Sequence, residues 1–239
     1  MKVEKEEVKT KCKAVKNQVI SFASGINIYK VFWVFLLGCF IGDIYEVLLH
    51  FIKHGEIVTR QGVLYGPFNP VYGFGAVIFE LAFYRVKNLK IVFLASALLG
   101  GAFEYLCSFW QEKIFGTVSW DYSNHFMNFQ GRTSLYVACF WGLCGVAFVM
   151  WFIPLFDKYI EKIPNKIGVP LSWILAIFMI VNMLLSAIAV YRYTERNQGI
   201  PAGNEVVEVI DKLYPDERVT RSYPNMMFLD ENKEPIMEN

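Results

Sequence analysis

The sequence predicts an all-α integral membrane protein with about five transmembrane helices and two motif-bearing loops on one face. Three observations carry that expectation. Of 239 residues, 55% are hydrophobic and only 19% charged, against roughly 25% charged in a soluble domain. Long apolar runs alternate with short charged ones, as spans alternate with loops. Between the first two runs lies Arg60–Gly75, RQGVLYGPFNPVYGFG. Its Gly62, Gly66, Pro67, Pro70 and Gly73 bar an ordinary helix or strand. Its Val, Leu, Phe and Tyr residues are unlike a flexible linker. A shaped, partly buried loop at a membrane surface fits both properties.

Residues 1–29 are polar and Lys-rich, a short N-terminal tail with some surface helix. No cleavable signal peptide is expected: the first apolar run begins near Lys30, is far longer than an h-region and lacks a small-residue cleavage site. The membrane domain covers residues 30–192. Segment one, about 31–52, is long enough to cross roughly 30 Å of hydrocarbon at 1.5 Å per residue. Segment two, about 70–84, is short, Gly-containing and interrupted by Glu80. Segments three, four and five cover about 90–112, 133–156 and 170–191. The polar tail 193–239 contains an amphipathic helix over about 204–213, with Asn204 as cap, Val206, Val207, Ile210 and Leu213 as apolar positions, and Pro215 ending it.

Lys and Arg near the segment ends set the expected orientation. Seven lie in the tail through Lys30, three in Arg85–Lys90 and three in 157–168, against two each in 53–69 and 113–132. The balance predicts a multi-pass protein of the cell membrane with a cytoplasmic N-terminus and an external C-terminus. Five crossings then place loops one and three and the C-terminal tail on one side. The net charge of +1 argues against a nucleic-acid partner.

Cys39, Cys107, Cys139 and Cys144 sit inside apolar runs and Cys12 in the tail, with neither a disulfide framework nor a zinc spacing. Asp43, Glu46, His50 and His54 fall within about an 80° arc of segment one at 100° per residue. Ionisable groups in a span cost at least about 2.5–3.5 kcal/mol each and should face protein or water. Two histidines at the helix end do not make a metal set, and none is assigned. Gly38 and Gly42 permit close helix contact. Segment three carries Glu104, Ser108 and Gln111 on one stripe, with Gly100 and Gly101 on a narrow face. Loop three reads Trp120-Asp121-Tyr122-Ser123 and then Asn128 to Arg132. An Asp among aromatics with an Arg could bind a headgroup, sugar or anion; equally, an Asp–Arg pair could fix the loop. No phosphate loop, nucleophile elbow or dinucleotide fingerprint is present, so the chain does not power itself with ATP.

These stretches resemble the ABC-transporter permease family of bacterial membrane proteins (the CmpB-like, type IV group). The likeness rests on Gly42–Glu46, Arg60–Gly75, Phe103–Leu106, Trp120–Ser123 and Asn128–Arg132, and covers about residues 33–165. It implies a polytopic membrane protein with Glu46, Arg60, Glu104, Asp121 and Arg132 at characteristic polar positions. Asn69 stands where the family pattern has Cys and Ser119 where it has Trp, while Asp43, His50 and His54 lie outside the pattern.

The candidate binding residues are thus Glu46, Arg60, Tyr65, Tyr72, Glu104, Trp120, Asp121, Tyr122, Asn128 and Arg132, with Glu46 and Glu104 as the intramembrane polar site and the two arginines at its mouth. Transport of a small or amphipathic solute leads. An enzyme acting on a lipid or isoprenoid headgroup, with Glu46 or Asp121 as general base, is the rival, and a non-catalytic sensor or assembly subunit is the third reading. No cofactor is expected. The expected partners are the lipid bilayer and a separate ATPase subunit or a second copy of the chain.

Overall fold

Five apolar segments alternate in direction, and the second is built differently from the other four. The structure, a computed structural model, describes residues 21–229; most of the N-terminal tail, Cys12 included, and the last ten residues lie outside that range. The elements are α1 (Ile28–His54), α2 (Pro70–Phe83), α3 (Leu89–Phe115), α4 (Leu135–Ile160), α5 (Asn165–Asn197), α6 (Glu205–Leu213) and α7 (Asp216–Ser222), with two-residue strands β1 (Thr117–Val118), β2 (Asn128–Phe129), β3 (Thr133–Ser134) and β4 (Met227–Phe228). Helices α1, α3, α4 and α5 are each long and apolar enough to cross a membrane.

The ends follow from local chemistry. Asn27, Asn69, Asn88, Ser134 and Asn204 cap their helices by accepting hydrogen bonds from first-turn amides. Gly55 and Gly116 close α1 and α3 in the left-handed conformation. Pro170 does not mark the start of segment five. It lies inside α5, close to the first turn, where it removes a single backbone bond. In α4 a π-helical turn, Phe148–Phe152, precedes Pro154 and accommodates the bond that proline cannot make.

Lys30 of α1 pairs with Asp157 and Glu161 of α4, and Phe22 N donates to Asn165 Oδ1 at 2.8 Å. One end of the bundle therefore gathers the starts of α1 and α5 with the end of α4. At the other end, loop one (55–69), loop three (116–134) and the C-terminal tail meet. Thr59 Oγ1 donates to Arg221 O at 3.0 Å, the hydroxyls of Tyr65 and Tyr214 are 3.1 Å apart, and β1 pairs with β4. The tail is docked, not free. Its Tyr214 and Val219 are buried with Leu64, Ala189, Val190 and Tyr193. At 33 residues, or roughly 50 Å, α5 outruns the hydrocarbon, and its Arg192 and Arg196 bind Asp211 of α6.

Loop one is the exception to surface connection. Asn69 N donates to Cys39 O at 2.9 Å, and Tyr65 N donates to Asn182 Oδ1 at 3.1 Å. Cys39 and Asn182 each lie fifteen residues before the ends of their helices, roughly 20 Å along the axis. The chain thus turns back into the bundle from the end of α1, and α2 begins at mid-depth. Fourteen residues, or about 21 Å, carry it back towards the end of the bundle where α1 starts. Gly66 at the bend takes φ +80°, a conformation a β-branched residue resists.

The polar atoms of that coil are satisfied by α5. Asn182 Nδ2 donates to Tyr65 O at 2.7 Å, and Leu64 N donates to Ser186 Oγ at 2.9 Å. Asn182→Ala should cost about 1–3 kcal/mol by orphaning both polar groups of Tyr65, read as a lower apparent Tm in detergent. Gly66→Val should lower folded yield more than Gln61→Ala, because the residue at 66 needs positive φ and a Cβ there would sit 2.8 Å from the Phe68 ring. The hydrogen bonds from Arg192, with those from Arg196, hold the Asp211 carboxyl below the usual carboxylate range. A depressed folded value means docking is stabilised above the ordinary Asp value of about 3.9 and that this contribution is lost as pH falls through the folded one. Protection against hydrogen exchange over 205–228, corrected for the intrinsic rate at each pH, should therefore fall on acidification, and should already be low at neutral pH in Asp211→Asn.

Candidate functional site

Two carboxylates from different spans are joined by an aromatic bridge beneath loops one and three. Glu46 of α1 accepts a hydrogen bond from the Tyr72 hydroxyl of α2. Glu104 of α3 accepts from Tyr122 OH at 3.0 Å, Trp141 Nε1 at 3.3 Å and Thr133 Oγ1 at 3.4 Å. The rings of Tyr72 and Trp141 are 6.1 Å apart, and Tyr45 lies 6.0 Å from Tyr72 and stacks on Phe140 at 5.9 Å. The site therefore runs Glu46–Tyr72–Trp141–Glu104 across helices α1, α2, α4 and α3.

Small residues allow that bridge. A Cβ on Gly42 would lie 2.2 Å from Tyr72, and one on Gly100 would lie 2.4 Å from Trp141. Neither ring could hold its place beside a larger residue. The close contact expected of Gly42 is realised against Tyr72, and Gly38 likewise meets Gly73 and Ala76. Each carboxylate is held by donors on neighbouring elements, which offsets burial that an unpaired acid would not tolerate. Asp43, one turn from Glu46, is buried and its Oδ1 has no partner among the described residues.

Of the ten residues singled out in the sequence, the fold brings Glu46, Tyr72, Glu104 and Tyr122 together. The other six are engaged elsewhere. Tyr65 bonds Tyr214, and Arg218 lies 5.4 Å above its ring. Arg60 Nη2 lies 2.6 Å from His50 Nδ1. Arg132 pairs with Glu112 and donates to Ser108 Oγ at 3.2 Å, with its guanidinium 5.7 Å from the Phe109 ring. Its acidic partner is thus on α3 and is not Asp121. Asp121 accepts from Ser123 N and Oγ at 2.9 and 2.6 Å, an Asx turn. Asn128 bonds the backbone of Ser123, His125 and Gly131, and Trp120 Nε1 donates to Arg132 O at 2.9 Å. These residues shape loop three, so that Tyr122 reaches Glu104. Gly62, Gly66, Pro67, Pro70 and Gly73 all lie in loop one or the first turn of α2.

Trp141, Thr133, Asn182 and Ser186 went unmarked in the sequence. Trp141 sits in an apolar run and has no local signature. Asn182 and Ser186 do have one, being polar residues at i and i+4 in the most apolar span. Among the described residues no group of three His, Cys, Asp or Glu is placed to hold a metal.

No curated protein and no solved structure matches the chain. A family model does, over residues 33–187, which span α1 through most of α5 and contain both carboxylates and loops one and three. The chain belongs to the family described as Putative ABC-transporter type IV.

Proposed function

We propose that this protein is a membrane transporter component that passes a small or amphipathic solute through the polar pocket between Glu46 and Glu104. The observation that supports it most is the pair of hydrogen-bonded carboxylates on separate spans, under a loop that enters the bundle. Carboxylates ringed by Tyr45, Tyr72, Tyr122 and Trp141 favour a solute with a cationic or hydrogen-donating head and an apolar body. Arg60 and Arg132 stand on loops one and three and shape the mouth through His50 and Glu112. The energy source of a family of ABC type would come from a separate ATPase subunit, since the chain has no phosphate-binding loop. Its N-terminal end faces the cytoplasm in this reading, consistent with seven Lys up to position 30.

Two measurements test the reading. Glu46→Gln and Glu104→Gln should accumulate near wild-type levels yet lose at least about tenfold in retention of the native solute, detected by mass spectrometry of material co-purified in native lipid. That magnitude follows from losing one charge-assisted hydrogen bond, about 1.5–3 kcal/mol, at 1.4 kcal/mol per tenfold. Full retention in both variants would leave those carboxylates a structural role. Separately, a cysteine engineered near Asn239 should be labelled in intact cells. Labelling only after permeabilisation would overturn the orientation.

A further inference from the structure

Glu80 makes no hydrogen bond to the Glu46–Glu104 site among the described residues. It lies in the last turns of α2 with 1% of its surface exposed, and neither carboxylate oxygen has a hydrogen-bond partner among the described residues. The charged groups that face it are Lys30 of α1 and Asp157 of α4. Lys30, fully buried, is already committed to Asp157 and Glu161. That trio carries a net charge of −1, and an ionised Glu80 would raise it to −2 where no donor answers the new charge. A buried acid without donor or counter-ion is neutralised by taking a proton.

Its position gives that proton a direction. Phe79, the preceding residue, packs against Trp141 and Phe148 with ring centres 6.0 Å away, and against Phe83 at 5.8 Å. The residue next to Glu80 thus packs on Trp141, whose indole N–H donates to Glu104. On the other side, the Asp157 and Glu161 side chains are about a third exposed and lead through Lys30 towards Glu80. Ser96 of α3, buried and with its hydroxyl also unpartnered among the described residues, lies against Gly145 beside the Phe79 ring.

We propose that Glu80 is a proton-binding site served from the N-terminal end of the bundle through Asp157, Glu161 and Lys30, and joined to the pocket by the packing of Phe79 on Trp141. Its use is to couple proton occupancy to the state of the pocket, and that use rests on the transport reading; the proton site does not.

Infrared difference spectroscopy of the full chain in lipid nanodiscs, exchanged from H2O to D2O at neutral pH, tests it. The expected result is a protonated-carboxyl carbonyl band that shifts on exchange, is lost in Glu80→Gln and survives in Glu104→Gln. Lys30→Gln should keep the band and slow its shift. A band that persists in Glu80→Gln, or one that never shifts in D2O, overturns the proposal. Should Glu80→Gln fail to fold, Glu80→Asp keeps the acid and must move the carbonyl frequency; an unmoved band overturns the proposal equally. If the band belongs to Glu80 while Glu46→Gln and Glu104→Gln retain solute normally, the transport reading falls and the proton site stands.

Discussion

The backbone of loop one must find its hydrogen bonds inside the protein, and much of the architecture follows from that requirement. Hydrocarbon supplies no partner for an exposed amide, so non-helical chain at membrane depth survives only where protein encloses it. Here the enclosure is made by Asn182 and Ser186 of α5 and the Cys39 carbonyl of α1. The three contacts fix where Asn69 can cap α2, and hence where α2 begins and how short it must be. A short α2 in turn has to pack closely to stay in place, and the small face of α1 supplies the surface: Gly38 against Ala76, Gly42 against Tyr72. Tyr72 is delivered to Glu46 by the same packing. The polar site is thus a consequence of how the re-entrant chain is anchored.

The carboxylates occupy two levels of the bundle and are partnered differently. Glu46 and Glu104, on the loop side, accept hydrogen bonds from hydroxyl and indole donors. Glu80, two turns further along α2 than Tyr72, has no donor among the described residues. One helix, α2, carries both Tyr72 and Glu80, so a tilt that disturbs one level disturbs the other. The π turn of α4 at Phe148–Phe152 packs on Phe79 through Phe148. Such single π turns often mark functional positions in helices.

The spans were readable because length and hydropathy determine them: the segments expected at 31–52, 70–84, 90–112 and 133–156 fall within a few residues of α1 to α4. Glu46 and Glu104 were readable because an acid in an apolar run has few neutral explanations. An Asp121–Arg132 pair was one alternative the sequence offered, because neighbours in a loop motif look like neighbours in space. Arg132 instead pairs with Glu112, in the last turn of α3 on the far side of loop three. Trp141 could not be found at all, since an indole in an apolar helix looks the same whether it faces lipid or donates to Glu104. The tail's amphipathic helix was legible in the sequence, but its docking was not, because its contacts, Tyr214 to Tyr65 and β4 to β1, are each made by one or two residues with no periodic signature.

Those tail contacts decide how the loop end of the molecule can move. Loop one is held to α7 through Thr59 and Arg221, and Tyr65 lies against Tyr214 and Arg218. Loop three is held to the same tail by β1–β4 pairing, while Arg192 and Arg196 clamp α6 to the end of α5. Loop one cannot lift from Asn182 without breaking the tyrosine contact or carrying α7 with it, and α7 leads within a few residues to β4 and so to β1. Tyr122, the loop-three residue that reaches Glu104, lies only four positions beyond β1. The tail therefore ties the loop that delivers Tyr72 to Glu46 and the loop that delivers Tyr122 to Glu104 into one covering layer. Neither loop can then shift far without the other, and the Asp211 ion pairs hold the tail that joins them to the end of α5.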